Sequence, residues 1–273
     1  MRALLVFLIG CAAAPTPVVA TYLGVAGWQL EANGRVVMSD PYFTRPTNLD
    51  APAVPDPAAI AAHAPPRADL ILVGHSHIDH LLDAPSVALR TGAVLMGSPT
   101  TIRVGTATGV PASQLIAVKD GDRREVAGIG IRVIRSLHSL IGLENVEMPD
   151  PVTLPLSIEG YKEGGTLTYL VTLGGRTILI FDTANFVEDA LAGVHPDIAI
   201  IAPGAREKVP DYTCRLMRVL ANPPIVLVTH FDAWHGPPVD APSDDAASFA
   251  NEVHTCSPKT RVIVPKHFER LTL

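Results

Sequence analysis

The chain has 273 residues, of which 48% are hydrophobic and 18% are charged, so it has enough apolar side chains to bury a large core. Intrinsic disorder is therefore not expected. The formal net charge of −6 and the lack of any run of Lys and Arg argue against a broad basic surface, so nucleic acid is not an expected partner.

The N-terminus carries one positive charge followed by the short apolar run ALLVFLIG, a pattern typical of a secretory signal peptide and too short to span a bilayer. The run ends in LIGC, which is similar to the bacterial lipobox, whose cysteine is lipidated. This predicts that residues 1–20 form a leader and tether, and that the protein is exported to the cell envelope or periplasm with a lipid on Cys11. Cleavage after Ala14 or Ala20, which would leave a soluble exported protein, is the alternative.

Residues 21–273 are predicted to form one domain of alternating strands and helices. In chain order the β-rich runs are YLGVAGWQLEA, RVVMSD, DLILVG, AVLMG, LIAV, IGIRVIRS, TLTYLVTLG, RTILIFD, DIAIIA, IVLVTH and RVIVP. Candidate helices cover residues 84–91, 99–106, 186–192, 212–221 and 243–255. A hairpin is expected to turn at Gly174 and Gly175. Many strands with interspersed helices indicate an α/β fold in which two mixed β-sheets pack together with helices outside.

Two long stretches, residues 41–67 and 139–165, are predicted to be irregular. Long loops in a compact domain are usually functional, so both are expected to border the substrate site. Tyr42, Tyr161 and Lys162 lie in these loops, where ordinary loop contacts are expected and substrate contact is the alternative.

Two further cysteines, Cys214 and Cys256, follow the leader. In an oxidising envelope they would be able to pair, and the alternative is two separate buried thiols. The sequence does not choose between these states.

The segment HSHIDH, residues 75–80, is the strongest indication of chemistry in the chain. If the chain stays extended after the run DLILVG, His75 and His77 project to the same side and bind one ion. If the chain then turns into a helix, Asp79 and His80 face a second ion, roughly 3.5–4 Å away as in two-metal hydrolases. One short loop therefore serves two metals.

Three further ligands are predicted at later strand ends. His138 follows the run IGIRVIRSL and supplies a third imidazole to the ion bound by His75 and His77. Asp182 directly follows the run RTILIF, where a carboxylate bridging two cations fits. His230 directly follows the run IVLVT. His235 is the only near rival of His230, and it is kept as a contact to a ligand or to substrate. Imidazoles and carboxylates suit two divalent ions, zinc first, with manganese or iron as alternatives.

The remaining histidines lack ligand spacing and are given no role, and the two tryptophans are expected to fill the core or line the rim of the site. These residues are His63, His195, His254, His267, Trp28 and Trp234.

The ordered ligands H-x-H-x-D-H, His, Asp and His resemble the signature of the metallo-β-lactamase-fold superfamily. YLGVAGWQLEANGRVVMSDPYF resembles the opening hairpin of the branch that includes L-ascorbate-6-phosphate lactonase and N-acyl-phosphatidylethanolamine phospholipase D. HPDIAIIAPGA and IVLVTHFD are similar to the closing segment of that branch. The resemblance runs from about residue 21 to residue 265. It implies a four-layer αββα sandwich with a dimetal site at one edge.

The chain departs from the family pattern in two places. Phe181 precedes Asp182, where family members often have Gly, and SLHSLIGLENVEMPD does not match a family loop. The first departure changes the packing beside the aspartate, and the second leaves the substrate unassigned.

The expected function is hydrolysis of an ester, lactone, amide or phosphodiester by a hydroxide activated by two metals, with Asp79 orienting the hydroxide and taking up its proton. Two divalent cations, the carboxylates of Asp79 and Asp182 and one hydroxide leave a net charge of +1, which favours a small anionic substrate. The alternative is a catalytically silent, lipid-anchored metal-binding or sensing protein. A flavin- or haem-coupled oxidoreductase has little support because the sequence contains no motif for a second cofactor.

Overall fold

The computed structural model describes residues 16–237 and 243–273, within which fourteen strands, six α-helices and four 3-10 helices are assigned. The strands are β1 (Val19–Gly24), β2 (Gly27–Ala32), β3 (Arg35–Ser39), β4 (Leu70–Leu72), β5 (Val94–Gly97), β6 (Leu115–Ala117), β7 (Arg123–Val126), β8 (Ile129–Arg135), β9 (Leu167–Leu173), β10 (Arg176–Phe181), β11 (Ile198–Ile201), β12 (Ile225–Val228), β13 (Arg261–Ile263) and β14 (Arg270–Thr272). The α-helices are α1 (Pro57–His63), α2 (Ile78–Leu81), α3 (Ala84–Thr91), α4 (Pro99–Thr108), α5 (Tyr212–Val219) and α6 (Asp244–Cys256). The 3-10 helices are Ala112–Gln114, Ile158–Gly160, Glu188–Leu191 and Arg206–Lys208.

The strands form two seven-stranded sheets, in the orders β14-β1-β2-β3-β4-β5-β6 and β13-β12-β11-β10-β9-β8-β7. In each sheet one half is antiparallel and the other half is parallel, for example β2 against β3 and then β3 beside β4. The parallel strands β3 and β4 of the first sheet and β10, β11 and β12 of the second direct their carboxyl ends to one edge of the molecule. The predicted mixed sheets are confirmed.

Three apolar layers hold the sandwich together. The central layer lies between the sheets and includes Trp28 and Tyr169, both almost fully buried. A second layer packs the first sheet against α1 to α4, and a third packs the second sheet against α5 and α6, where Leu216 and Phe249 are buried. The apolar faces of both sheets and the apolar sides of the helices are buried in these layers. The result is the predicted four-layer αββα fold. Of the two placements predicted for Trp28, in the core or at the rim of the site, the structure has the first.

Most predicted elements are found near their predicted positions. The hairpin between β9 and β10 turns through Gly174 and Gly175, whose φ angles of 62° and 79° are readily adopted by glycine in a two-residue turn. The helix predicted at residues 186–192 is instead the 3-10 helix Glu188–Leu191.

The stretch 41–67, predicted to be irregular, contains the helix α1. Asp56 caps this helix by accepting hydrogen bonds from the backbone N–H groups of Ala58 and Ala59, and Pro57 occupies the first turn. These are ordinary signals for a helix start, so the prediction of an irregular segment is wrong here: the Asp56 cap and a proline in the first turn favour a helix despite the high proline content of the stretch.

The first strand begins at Val19, two residues before the predicted domain start at Thr21. Val18 and Ala20 are fully buried, and the backbone N–H of Thr16 donates to the carbonyl oxygen of Gly174. The predicted leader positions up to residue 15, including Cys11 and Ala14, lie outside the described residues. Within the described part of the chain, no helix is both long and apolar enough to cross a membrane.

Cys214 and Cys256 form a disulfide that links α5 to α6, with Cα atoms 5.2 Å apart and a sequence separation of 42. Of the two states that the sequence left open, the structure contains the paired one.

Replacing both cysteines by serine is expected to lower the free energy of unfolding by about 4 kcal/mol, since a loop of this length loses that much chain entropy when closed. Guanidinium unfolding of the wild type and the Cys214→Ser/Cys256→Ser variant measures this difference. Equal midpoints for the two proteins would show that the disulfide does not stabilise the α5–α6 layer.

Candidate metal centre

The HSHIDH segment leaves β4 in an extended conformation and then enters α2, as predicted. His77 stands at the N-cap of α2 with φ of −66° and ψ of 161°, and Asp79 and His80 lie within the helix. Two backbone hydrogen bonds, from Ser76 N–H to the Glu163 carbonyl and from Leu167 N–H to the Gly74 carbonyl, fix the extended part.

One group of imidazoles consists of His75, His77 and His138, whose nearest ring nitrogens all lie within 4.8 Å of one another. His77 Nδ1 is 3.2 Å from His138 Nε2. His138 Nδ1 donates to the carbonyl oxygen of Ser139 at 3.0 Å, so its Nε2 carries the free lone pair. The three residues meet in the arrangement predicted for the first ion.

A second group consists of Asp79, His80 and His230. His80 Nε2 and Asp79 Oδ2 lie 3.2 Å and 3.1 Å, respectively, from His230 Nε2. The structure thus brings His230 into the site, whereas His235 is exposed and packs its ring against Trp234.

Asp182 lies between the two groups, at the carboxyl end of β10. Its Oδ2 atom is 2.9 Å from His75 Nδ1 and 3.2 Å from His80 Nδ1. Its Oδ1 atom is buried and accepts no hydrogen bond from any described residue. A buried carboxylate oxygen without a donor is costly in a folded protein, and a cation between the groups would satisfy it.

The protonation states of most donors suit metal binding. Burial lowers the pKa of His75 well below its usual value and that of His77 to about 4, so these imidazoles are neutral at pH 7. Burial raises the pKa of Asp79 and Asp182, but the neighbouring histidines outweigh it and hold both below the usual range. Neutral imidazoles and ionised carboxylates are the forms that coordinate a cation.

The centre contains an excess of buried negative charge around His80. Burial lowers the pKa of His80, but the carboxylates of Asp79 and Asp40 and the hydrogen bond to Asp182 raise it well above its usual value. Three carboxylates that compete for one imidazole proton are a strong electrostatic match for divalent cations. The donor set therefore fits two such ions, and the assignment of individual ligands stays a prediction.

Asp40 is a member of this centre that the sequence analysis missed. It follows β3, its Oδ1 accepts a hydrogen bond from Gly74 N–H at 2.9 Å, and the same atom lies 3.5 Å from His80 Nδ1. A carboxylate in this position orients the imidazole so that Nε2 faces His230. The rule that identified Asp182, a carboxylate directly after an apolar strand, applies equally to Asp40.

The backbone of Gly74 lies directly against the Asp182 carboxylate. A Cβ atom at this position would be 2.2 Å from Asp182 Oδ2, well inside van der Waals contact. Only glycine leaves the carboxylate in its place between the two groups.

The segment that carries His230 is held by a second polar network, which the sequence did not predict. His230 has a φ of 53°, an unfavourable angle for a non-glycine residue, and its N–H donates to the Val25 carbonyl at 2.6 Å. Two residues later, Asp232 accepts hydrogen bonds from Val25 N–H and Tyr22 Oη–H and pairs with the buried Arg45 guanidinium at 3.0 Å. His267, which was given no role, lies 2.8 Å from Asp232 Oδ2.

Replacing Asp232 by asparagine is expected to lower the free energy of unfolding by about 3–5 kcal/mol, because Arg45 would then be buried without a counter-charge. The His230 segment is expected to loosen, so bound metal should dissociate more readily during dialysis against a chelator.

Asp197→Asn is the matched control for this substitution. Asp197 accepts hydrogen bonds from Thr177 N–H and Oγ1–H at the opposite edge of the second sheet. This variant should lose stability without a change in metal retention. Equal metal retention in Asp232→Asn and the wild type would contradict the assigned effect of the network.

A cavity of about 790 Å³ opens onto the metal centre. Its floor contains six of the seven predicted ligands, all except His80, and its walls include Tyr161, Lys162 and Trp234 from the loops. The stretch 139–165 borders the cavity, as predicted, whereas none of the described residues that line the cavity comes from the stretch 41–67, so that half of the prediction is wrong. Tyr42 does not line it, because its side chain is fully buried in the layer between the first sheet and its helices.

Comparison with known proteins agrees with this geometry. A family model described as a beta-lactamase superfamily domain matches residues 35–208, which contain six of the seven predicted ligands. The chain belongs to the metallo-β-lactamase superfamily. The same family model covers His75 to Asp182 but not His230.

Relatives and solved structures extend the match over most of the chain. A UPF0173 metal-dependent hydrolase of Polynucleobacter asymbioticus is 26% identical over 220 residues, which are 78% of this chain and 73% of the relative. A second, from Methanopyrus kandleri, is 26% identical over 249 residues, 89% of this chain and 95% of the relative.

Among solved structures, the metallo hydrolase Igni18 of Ignicoccus hospitalis superposes with a TM-score of 0.65 at 21% identity, covering 94% of this chain and 99% of Igni18. This likeness confirms the fold. The family match and the relatives confirm the prediction that the chain is a metal-dependent hydrolase of the superfamily.

Phe181, which stands where family members often have Gly, is fully buried in the layer between the second sheet and α5 and α6. Its side chain therefore packs away from the Asp182 carboxylate. This departure from the family pattern leaves the position of Asp182 in the centre intact.

Proposed function

We propose that the seven predicted side chains bind two divalent cations, zinc by preference, and that the protein hydrolyses an ester, lactone, amide or phosphodiester bond. His75, His77 and His138 would hold one ion, Asp79, His80 and His230 would hold the other, and the Asp182 carboxylate lies between the two groups. The observation that carries this proposal is the convergence of the two donor groups, with the unsatisfied Asp182 Oδ1 buried between them.

Bound cations would supply Lewis acidity and lower the pKa of a bound water. The chain's own groups do the rest. Asp79 lines the cavity, is 9% exposed and has a pKa held below the usual range, so it is an ionised carboxylate placed to orient a water and accept its proton. Asp40 keeps His80 in one orientation during this step.

The charge of the centre changes once Asp40 is included. The sequence predicts two carboxylates at the centre, Asp79 and Asp182, whereas the structure has three around His80. With two divalent cations and one hydroxide, the total becomes zero instead of +1. An anionic substrate remains part of the proposal only through Lys162, which lines the cavity wall.

The test of the function is removal and return of metal. Protein dialysed against a chelator is assayed with lactones, carboxylic esters, phosphodiesters and β-lactams before and after addition of Zn²⁺, Mn²⁺ or Fe²⁺. We expect hydrolysis of at least one substrate class to disappear on chelation and return with metal. Tight metal binding without turnover of any class would instead support the silent metal-binding or sensing protein.

Export to the cell envelope is proposed on separate grounds. The Cys214–Cys256 disulfide supports it, because disulfides persist mainly in oxidising compartments. The start of β1 at Val19 and the burial of Val18 favour lipidation at Cys11, or cleavage after Ala14, over cleavage after Ala20, which would remove part of this strand. Palmitate labelling of the wild type and a Cys11→Ala variant tests the lipid anchor.

A further inference from the structure

The segment of residues 137–146, LHSLIGLENV, exposes an unusual number of large apolar side chains. Nine such side chains are exposed among the described residues, and five of them lie in these ten positions, so the exposure is concentrated rather than scattered. They are Leu137, Leu140, Ile141, Leu143 and Val146, with exposed fractions between 42% and 57%. Concentrated apolar exposure on a folded protein usually marks a binding surface.

Hydrogen bonds hold both ends of this segment in place. At its start, Ser139 Oγ accepts from Ala184 N–H at 2.8 Å and the Leu140 carbonyl accepts from Lys208 Nζ at 2.9 Å. At its end, the Val146 carbonyl accepts from Gly164 N–H at 3.0 Å. The apolar side chains between these points are therefore presented by an anchored loop.

The segment forms one wall of the cavity above the metal centre. Ile141, Leu143 and Val146 line the cavity, and Ile158 and Trp234 add apolar surface from two other loops. His138, at the start of the same segment, belongs to the first group of donors. A substrate bound at the centre therefore lies beside this apolar wall.

We propose that the substrate carries a hydrocarbon arm next to the bond that is hydrolysed, and that Ile141 and Leu143 select for it. This inference rests on the proposed function and specifies its substrate class: an ester, lactone or amide with an apolar chain. An arm that lies against the wall leaves water, so each added methylene increases kcat/KM by about twofold to fourfold, depending on how completely it is buried.

A chain-length series tests the inference. Metal-loaded protein is assayed with p-nitrophenyl esters from acetate to decanoate, below the micellar concentration of each. We expect kcat/KM to increase with chain length in the wild type and the increase to be lost in Ile141→Ser/Leu143→Ser. Leu89→Ser, which removes another exposed apolar side chain, from α3 and away from the cavity, should leave the increase unchanged.

The outcomes separate this inference from the function on which it rests. Metal-dependent hydrolysis of acetate without any chain-length effect would overturn the inference and leave the proposed function standing. If no ester is hydrolysed, binding of a hydrocarbon chain to the wall is measured directly by the displacement of bound N-phenyl-1-naphthylamine by decanoate. Equal displacement from the wild type and from Ile141→Ser/Leu143→Ser would overturn the inference.

The same residues would also be exposed if the segment bound a bilayer. Sedimentation with phosphatidylglycerol and phosphatidylcholine vesicles distinguishes the two cases. Loss of vesicle binding in Ile141→Ser/Leu143→Ser, with an unchanged chain-length effect, would assign the segment to the membrane and contradict the inference.

Discussion

Replacing Asp79 by alanine is expected to lower kcat/KM by about 10²–10⁴-fold, the usual contribution of a positioned general base. Asp79 is nearly buried, lines the cavity and lies 3.1 Å from His230 Nε2, so the substitution removes both the proton acceptor and a donor of the second group. Steady-state kinetics with the substrate identified by the metal-return assay measures the loss.

Asp189→Ala is the control for this prediction, because Asp189 is an exposed aspartate in the 3-10 helix Glu188–Leu191. It should retain the wild-type kcat/KM. An Asp79→Ala variant within threefold of the wild type would show that another group moves the proton.

Replacing Gly74 by alanine is expected to disrupt the whole centre. The added Cβ would lie 2.2 Å from Asp182 Oδ2, so the carboxylate must leave its position between the two groups. We expect the loss of at least one bound ion and a fall in kcat/KM of about 10²-fold or more, because the reacting groups are misplaced. Overpacking is also expected to lower the free energy of unfolding by about 1–3 kcal/mol.

Gly130→Ala provides the matched comparison. Its Cβ would meet the Thr172 side chain at 3.4 Å, which is an ordinary contact, on β8 of the second sheet. Elemental analysis and thermal unfolding of both variants separate the effect on the centre from that of a methyl group alone. Full metal content in Gly74→Ala would contradict the role given to the Asp182 carboxylate.

Local patterns were sufficient to predict seven of the side chains that the structure brings together at the centre. His138, Asp182 and His230 each follow an apolar strand, and such positions converge because the two sheets end at a common edge. The same pattern at Asp40 was overlooked. It had no histidine beside it to draw attention, although its physical position is equivalent.

Other features depend on contacts between distant parts of the chain. Asp232 meets Tyr22, Arg45 and His267, which are separated from it by 210, 187 and 35 residues, and no local pattern indicates such a network. The pairing of Cys214 with Cys256 likewise depends on how α5 packs against α6, because this packing sets the distance between the two Cα atoms, which cannot be read from the sequence.

The substrate depends on the loops, where sequence patterns carry the least information. Residues 139–165 have little repeating secondary structure, so neither helix nor strand periodicity assigns a direction to Ile141 or Leu143. Only the folding of the loop places these two side chains on the cavity wall.

The central claim, that these side chains form a catalytic centre with two metals, is tested most directly by measuring metal content and hydrolysis together in the wild type, His77→Ala and Asp79→Ala. Elemental analysis should find two ions per chain in the wild type and fewer in each variant, with hydrolysis lost in parallel. Two ions per chain and undiminished hydrolysis in both variants would contradict the account.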